Sequence, residues 1–211
     1  RRNLVMKRPS FAARHEFDSL PTTAKVEVRA ADFAEIPAIS AMARSMVPGV
    51  QIGEQGLLQH HLHDHESILV FARQGRLLGG MAFLYLGESG HEALMSGELT
   101  PTHPDFGLLA RRGEQVAAIY IWGMGAIGRG LAGLGKMLAF LRQPRYVNAD
   151  CFAQPSTAAG RDLMIATGFR PIASFQPDLW RYERPWKRLP VDAGASNFSP
   201  GSISDARHQT A

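Results

Sequence analysis

The sequence predicts an α/β (α+β) domain, a mixed and mostly antiparallel sheet with helices on both faces. Three observations carry this. SILVFARQ (67–74) and GRLLGGMAFLYL (75–86) are adjacent β-rich runs meeting at Gln74-Gly75, a hairpin signal. VAAIYIW (116–122) and RYVNADCFA (145–153) are two further apolar runs with a helical stretch between them, the pattern of one parallel crossover. The remaining segments carry apolar residues at three- and four-residue spacings, the period of surface helices. A chain of 211 residues with 45% hydrophobic and 20% charged residues suits one domain with tails.

The elements follow in order. Residues 1–24 lack sustained periodicity and read as an arm. KVEVRAA (25–31) alternates as a strand, with Val26 and Val28 on one face. Asp32 is placed to cap a helix whose apolar face is Phe33, Ile36, Ile39, Met42, Ala43 and Met46, and which Pro48-Gly49 stops. A second helix is predicted over 54–63, with Leu57, Leu58, His61 and Leu62 on one side. After the hairpin, residues 87–115 are rich in Gly, Pro, Glu and His and read as a long loop. The strand 116–122 runs into a glycine-dense stretch, then a helix with a stripe of Leu131, Leu134, Leu138 and Leu141 that closes near Pro144. A strand over 145–153 follows. Ser156 or Thr157 then caps a helix ending at Gly168, and RPIASF (170–175) and LWRYER (179–184) form a closing pair. From 187 to 211, Ser, Gly, Pro and polar residues predict a disordered tail.

Composition narrows the function classes. The formal net charge is +4, and the charge lies partly in RRNLVMKR at the start and RYERPWKR at 181–188. No long basic stripe lies inside the patterned region, which argues against a nucleic-acid surface. No apolar run approaches the ~18 residues of a membrane span. The single cysteine, Cys151, cannot form an intrachain disulfide and reads as a buried thiol. A cytoplasmic setting is the expectation.

The stretch GMGAIGRGLAGLG (123–135) allows three phosphate-binding readings. GLAGLGK (130–136) matches a P-loop up to its lysine, but Met137 stands where the Mg²⁺-binding Ser or Thr belongs. GMGAIG (123–128) matches the dinucleotide pattern G-x-G-x-x-G, with Asp150 about 20 residues on, yet the chain lacks the repeated parallel βαβ units of that fold. An NAD(P)-binding oxidoreductase is therefore the lesser alternative. The third reading takes Gly125-Ala126-Ile127-Gly128-Arg129-Gly130 as a loop of the form Q/R-x-x-G-x-G/A, with about fifteen residues to the next strand. It is joined by Leu163 and Gly168-Phe169 in an LxxxxGF frame at the end of the last helix.

On those residues the stretch from about 25 to 186 resembles the GNAT superfamily of acyl-CoA-dependent N-acyltransferases. The resemblance implies a sheet splayed between its fourth and fifth strands and acetyl-CoA, or another acyl-CoA, as cosubstrate. It implies a small-molecule or peptide amine as acceptor. Dimers are common in that superfamily, so a homodimer is a further expectation. It places the pantetheine arm against the backbone of Ile121, Trp122 and Gly123. It places the pyrophosphate on Gly125, Ala126, Ile127, Gly128, Arg129 and Gly130, where unpaired N–H groups at a helix start favour an anion. Thr157 occupies a cofactor-side position that often holds Asn.

Two departures matter. Gly125 replaces the usual Gln or Arg, and Met164 replaces a tyrosine that would protonate the leaving thiolate, which methionine cannot do. Tyr120, on the strand face shared with Ala118 and Trp122, and Asp150, expected near the splay, are the candidate catalytic groups. Glu88, Glu92 and Glu98 are candidate contacts for a cationic amine. In QHHLHDHE (59–66), His61 and His65 are four apart, but no third ligand is apparent and no metal is expected. The alternative to an enzyme is a catalytically inactive acyl-CoA-binding or regulatory protein of the same architecture.

Overall fold

The computed structural model describes residues 26–46 and 53–184. The arm 1–24, the helix stop at Pro48-Gly49 and the tail 187–211 lie outside the described residues. Seven strands form one sheet in the order β1-β2-β3-β4-β5-β7-β6. They are β1 (Glu27–Ala30), β2 (Ile68–Arg73), β3 (Arg76–Leu86), β4 (Ala118–Ala126), β5 (Asp150–Ala153), β6 (Arg170–Pro171) and β7 (Trp180–Tyr182). Every adjacent pair is antiparallel except β4 and β5. One parallel pair in an otherwise antiparallel sheet is the expected architecture, and it rules out a doubly wound dinucleotide fold. The β2–β3 hairpin turns on Gln74 at φ 52° and Gly75 at φ 73°, the paired left-handed conformations of a type I′ turn.

Among the described residues five α-helices flank the sheet: α1 (Ile36–Met46), α2 (Glu54–His63), α3 (Glu88–Ser96), α4 (Leu134–Phe140) and α5 (Ala158–Ala166). The α1 helix is entered through a 3₁₀ turn at Phe33–Glu35. The Asp32 N–H donates to the Glu35 carboxylate, which also takes two hydrogen bonds from Arg29, tying the turn to β1. One face of the sheet packs Leu69, Phe71, Phe83 and Ile119 against Leu134 and Met137 of α4 and Leu141 at its end. On the other, Ile68 and Val70 meet Ile36 and Leu57 from α1 and α2, while Leu84, Leu86 and Ala118 meet Ala93 and Leu94 of α3.

Several expectations are corrected. The long loop 87–115 contains α3, bracketed by Gly87 and by Gly97 at φ 79°. Gly90 lets it lie on the chain, since a Cβ there would come 2.1 Å from the Leu108 carbonyl oxygen. On α2 the buried residues are Leu57 and His60, while Leu62 is exposed. The buried face runs through Leu57 and His60, three residues apart, rather than through His61 and Leu62. In the glycine region Leu131 is exposed and Met137 is buried in its place. Residues 145–149 are turns, not strand, so β5 begins only at Asp150. Helix α5 ends as predicted: Gly168 sits at φ 93°, its N–H reaching the Ile165 carbonyl and that of Phe169 reaching Met164, a Schellman closure.

Candidate active site

The site is built on β4. Strand β3 accompanies it to Ala126, but Ala82 pairs with Gly123 and Phe83 with Ile121, so Trp122 is an extra, bulged residue. On the other edge β5 follows for four pairs only, ending at Ile121 and Ala153. Pro155 then lacks the N–H that would continue a ladder. From Trp122 to Ala126 the edge of β4 toward β5 has no strand partner among the described residues. The sheet is splayed there, and the bulge lies at the point of splaying.

The glycine segment is divided differently from the expectation. Gly125 and Ala126 are strand residues, opposite Gly80 and Gly79. A Cβ on Gly79 would stand 2.2 Å from the Gly125 carbonyl oxygen, so close backbone approach explains part of the glycine density. The turn comes at Ile127, whose N–H donates to the Leu78 carbonyl, and at Gly128, at φ 55°. A 3₁₀ segment over Gly128–Gly133, which includes Arg129 and Gly130, leads directly into α4. Gly130 lies against Leu78 of β3 and Gly133 against the Phe71 ring, where a Cβ would approach within 2.7 Å. Lys136, the P-loop candidate, donates to the Val26 carbonyl at 2.6 Å.

The Tyr120 side chain is buried on the α3 face, and its hydroxyl donates to Gln154 Oε1 at 2.6 Å. Gln176 Nε2 donates to the same oxygen, and Gln154 Nε2 donates to the Pro177 carbonyl. Gln154 directly follows the last β4–β5 pair, so this network reaches the level of the splay. Burial pushes the Tyr120 phenol up to about 12. Asp150 is elsewhere. It opens β5 opposite Ala118, about 10 Å of strand before the splay. Its Oδ2 pairs with Arg181 at 2.5 Å, and Oδ1 accepts the Arg184 N–H at 3.0 Å. It does not stand at the splay, because the β4–β5 ladder continues past it through Cys151 and Phe152 to Ala153.

The Thr157 hydroxyl accepts the Gly160 N–H at 3.0 Å and caps α5. Met164 packs with Ala153 and Trp180, beside Ile121, so it borders the splay inside an apolar cluster. Glu88, Glu92 and Glu98 are all exposed on or just after α3. His61 and His65 are half-buried, and among the described residues no three His, Cys, Asp or Glu side chains stand together as metal ligands.

Two features were not visible in the sequence. The first is a cavity of about 60 Å³ between α1 and the β3–β4 face, bordered by Met42, Ala43 and Met46 of α1 and by Ala82, Trp122 and Gly123 of the sheet. The second is His60, only 2% exposed, its ring 5.4 Å from that of Trp122 and 6.0 Å from that of Phe106. Its position on α2 was the signal: it lies three residues after Leu57, on the buried face. Burial pushes its pKa down from 6.5 to about 4. With a folded-state pKa below the unfolded value, the unfolded chain binds more protons between pH 6.5 and about 4. Stability therefore falls as pH falls through that window. His60→Leu is expected to flatten the dependence of the thermal midpoint on pH between 7 and 4.5. An equally steep dependence in the variant would remove His60 as its source.

No family model matches the sequence, and no curated protein matches it. Solved structures do. The fold is similar to that of the loading GNATL domain of CurA from Lyngbya majuscula, with a TM-score of 0.53 at 12% identity over 75% of this chain and 97% of that one. It is also similar to an acetyltransferase of the GNAT family from Streptococcus agalactiae, with a TM-score of 0.50 at 12% identity over 75% of this chain and 95% of that one. The chain has the GNAT fold.

Proposed function

We propose that the chain is an acyl-CoA-dependent N-acyltransferase, moving an acyl group from CoA to an amine. The observation that carries this reading is the open edge of β4 from Trp122 to Ala126, starting at a bulge and ending at the Gly128 turn. An unpaired strand edge offers backbone donors and acceptors to an extended amide chain such as pantetheine. Ile121, Trp122 and Gly123 are assigned to that arm. The segment from Gly125 to Gly130 is assigned to the pyrophosphate, received by the N–H groups that open the 3₁₀ segment and supplemented by the Arg129 charge. Thr157, at the start of α5, is assigned to the cofactor side of the same opening.

The reaction needs no covalent enzyme intermediate. The neutral amine attacks the thioester carbonyl, the β4 backbone polarises the carbonyl oxygen, and the tetrahedral species expels CoA. The amine surrenders one proton and the departing sulfur gains one. Tyr120 is the group assigned to the leaving sulfur. Asp150, bound to Arg181 and Arg184, is assigned to holding β5 and β7 together and not to proton transfer.

Calorimetric titration with acetyl-CoA tests the reading, and saturable binding in the micromolar range is the expected result. No heat at high micromolar ligand would count against it. A second reading, a silent acyl-CoA-binding protein, is favoured by Met164 and Thr157, which stand where the family often has Tyr and Asn. It predicts the same titration but no CoA release with any member of a broad amine panel.

A further inference from the structure

Gln154 is the first residue beyond the β4–β5 ladder, half-buried at the level where the sheet splays. Three hydrogen bonds fix which way its amide points. Its Nε2 meets the Pro177 carbonyl, an oxygen that can only accept, so the NH₂ end must face Pro177. Oε1 is therefore the end turned to Tyr120. That oxygen bears no hydrogen, so the Tyr120 hydroxyl must be the donor, at 2.6 Å. The second lone pair of Oε1 accepts from Gln176 Nε2 at 3.1 Å.

The chain that carries Pro177 is itself held. It joins β6 to β7 over residues 172–179. The Phe175 N–H donates to the Met95 carbonyl of α3 at 3.0 Å, and the Ile172 N–H to the Leu179 carbonyl at 3.0 Å. Asp178 accepts from the Trp180 indole at 2.9 Å and from Arg161 of α5 at 2.6 Å. The Pro177 carbonyl is thus a fixed reference for the Gln154 amide. We propose that Gln154 is a positioning residue: its amide, oriented by Pro177, holds the Tyr120 hydroxyl as a hydrogen-bond donor at the splay, and Gln176 keeps Oε1 satisfied when that donor turns to the departing sulfur. A buried acceptor left with no partner would oppose the exchange, and Oε1 keeps one of its two. No bond forms or breaks at Gln154, and the phenolic proton stays on Tyr120. The inference rests on the acyltransferase reading above and adds residues that touch neither acyl-CoA nor amine.

The test is steady-state CoA release by the full chain, with acetyl-CoA varied against the best amine of a broad panel. Gln154→Met is expected to lower kcat about tenfold, the worth of one well-oriented hydrogen bond, with KM for acetyl-CoA unchanged. Gln176→Met is expected to lower kcat about threefold, since water replaces part of what Gln176 gives. Each substitution is then repeated in a Tyr120→Phe background. There neither is expected to cost anything further, because no hydroxyl remains to be oriented. A role in stability alone would lower the thermal midpoint and leave the losses the same in both backgrounds. Either glutamine completes the cycle, so a folding failure in one variant does not remove the test.

Unchanged kcat in folded Gln154→Met overturns the inference and leaves the acyltransferase reading standing. So does a loss of equal size with and without the Tyr120 hydroxyl, or a loss confined to KM. Tyr120→Phe turning over as fast as the wild type also overturns it. Failure of the wild type to release CoA with any amine overturns both the inference and the catalytic reading beneath it.

Discussion

Arg145→Ala is expected to destabilise the protein by about 3–5 kcal/mol, the cost of leaving a buried charge without its partner. The thermal midpoint should fall by roughly 6–20 °C for a domain of this size. Arg145 Nη1 lies 2.7 Å from Asp64 Oδ2, and the Asp64 side chain is only 4% exposed. The same guanidinium stands 5.3 Å and 5.2 Å from the ring centroids of Tyr85 and Tyr146. Tyr146 bonds the Glu66 carboxylate, and the Tyr85 hydroxyl donates to the Glu66 carbonyl at 2.8 Å. Removing Arg145 therefore strands Asp64 and strips a cation from two aromatic faces. Asp64→Asn combined with Arg145→Met is expected to be milder than Arg145→Ala alone, because neither charge then remains. Chemical unfolding of the three proteins decides it. A loss below about 1 kcal/mol for Arg145→Ala would show that Asp64 is satisfied by other groups.

That node explains the turn at 145–149, which the sequence did not reveal. RYVNADCFA reads as a continuous strand because apolar and β-forming residues dominate it. Arg145 and Tyr146 are instead drawn toward Asp64 and Glu66, some 80 residues earlier. A contact of that range leaves no periodic trace. The consequence for the site is direct: with β5 starting at Asp150, that carboxylate falls at the closed end of the β4–β5 ladder.

Local chemistry, by contrast, was readable. The Gln74-Gly75 turn, the Thr157 cap and the Gly168 closure each depend on one or two residues whose backbone demands are specific. The face shared by Ala118, Tyr120 and Trp122 followed from alternation, since the bulge comes only at its end. The glycine run was half readable. Its role as the passage from β4 to a helix was visible in its flanks. That Gly125 faces Gly80 across the sheet was not, because the reason for a glycine there is the neighbouring strand's backbone and not the glycine's own torsion.

Trp122 and His60 illustrate the same limit at the candidate site. A tryptophan after an apolar strand reads as core. Its meaning depends on the bulge, the end of β5 and the empty space under α1, and all three are tertiary. His60 sits in a histidine-rich segment whose obvious reading is a metal or a polar helix end. The ring that is buried is the one facing Trp122 and Phe106, and it stays neutral at physiological pH because burial disfavours its charged form.

Tyr120→Phe carries the second large effect. Turnover is expected to fall about 100-fold or more with KM for acyl-CoA little changed, the pattern of an interaction made only in the transition state. The phenol pushed up to about 12 keeps its proton throughout neutral pH. A leaving thiol with a pKa near 8.5 would take that proton only uphill. On the proposed mechanism Tyr120 acts on the developing thiolate as a hydrogen-bond donor, exchanging its bond to Gln154 Oε1 for one to sulfur, while the proton that completes the thiol comes from the ammonium formed on the acceptor. The sign of the pH dependence follows. Raising pH from 6 to 10 should reveal no loss of activity from Tyr120 ionisation, since the loss would begin only as pH nears about 12. Release of CoA, followed with a thiol reagent for the wild type and the variant, measures both quantities. Undiminished turnover in Tyr120→Phe would assign the leaving group to solvent. The loss of the hydroxyl should cost only about 1 kcal/mol of stability, the net worth of one buried hydrogen bond, so the variant stays folded enough for its kinetics to be read.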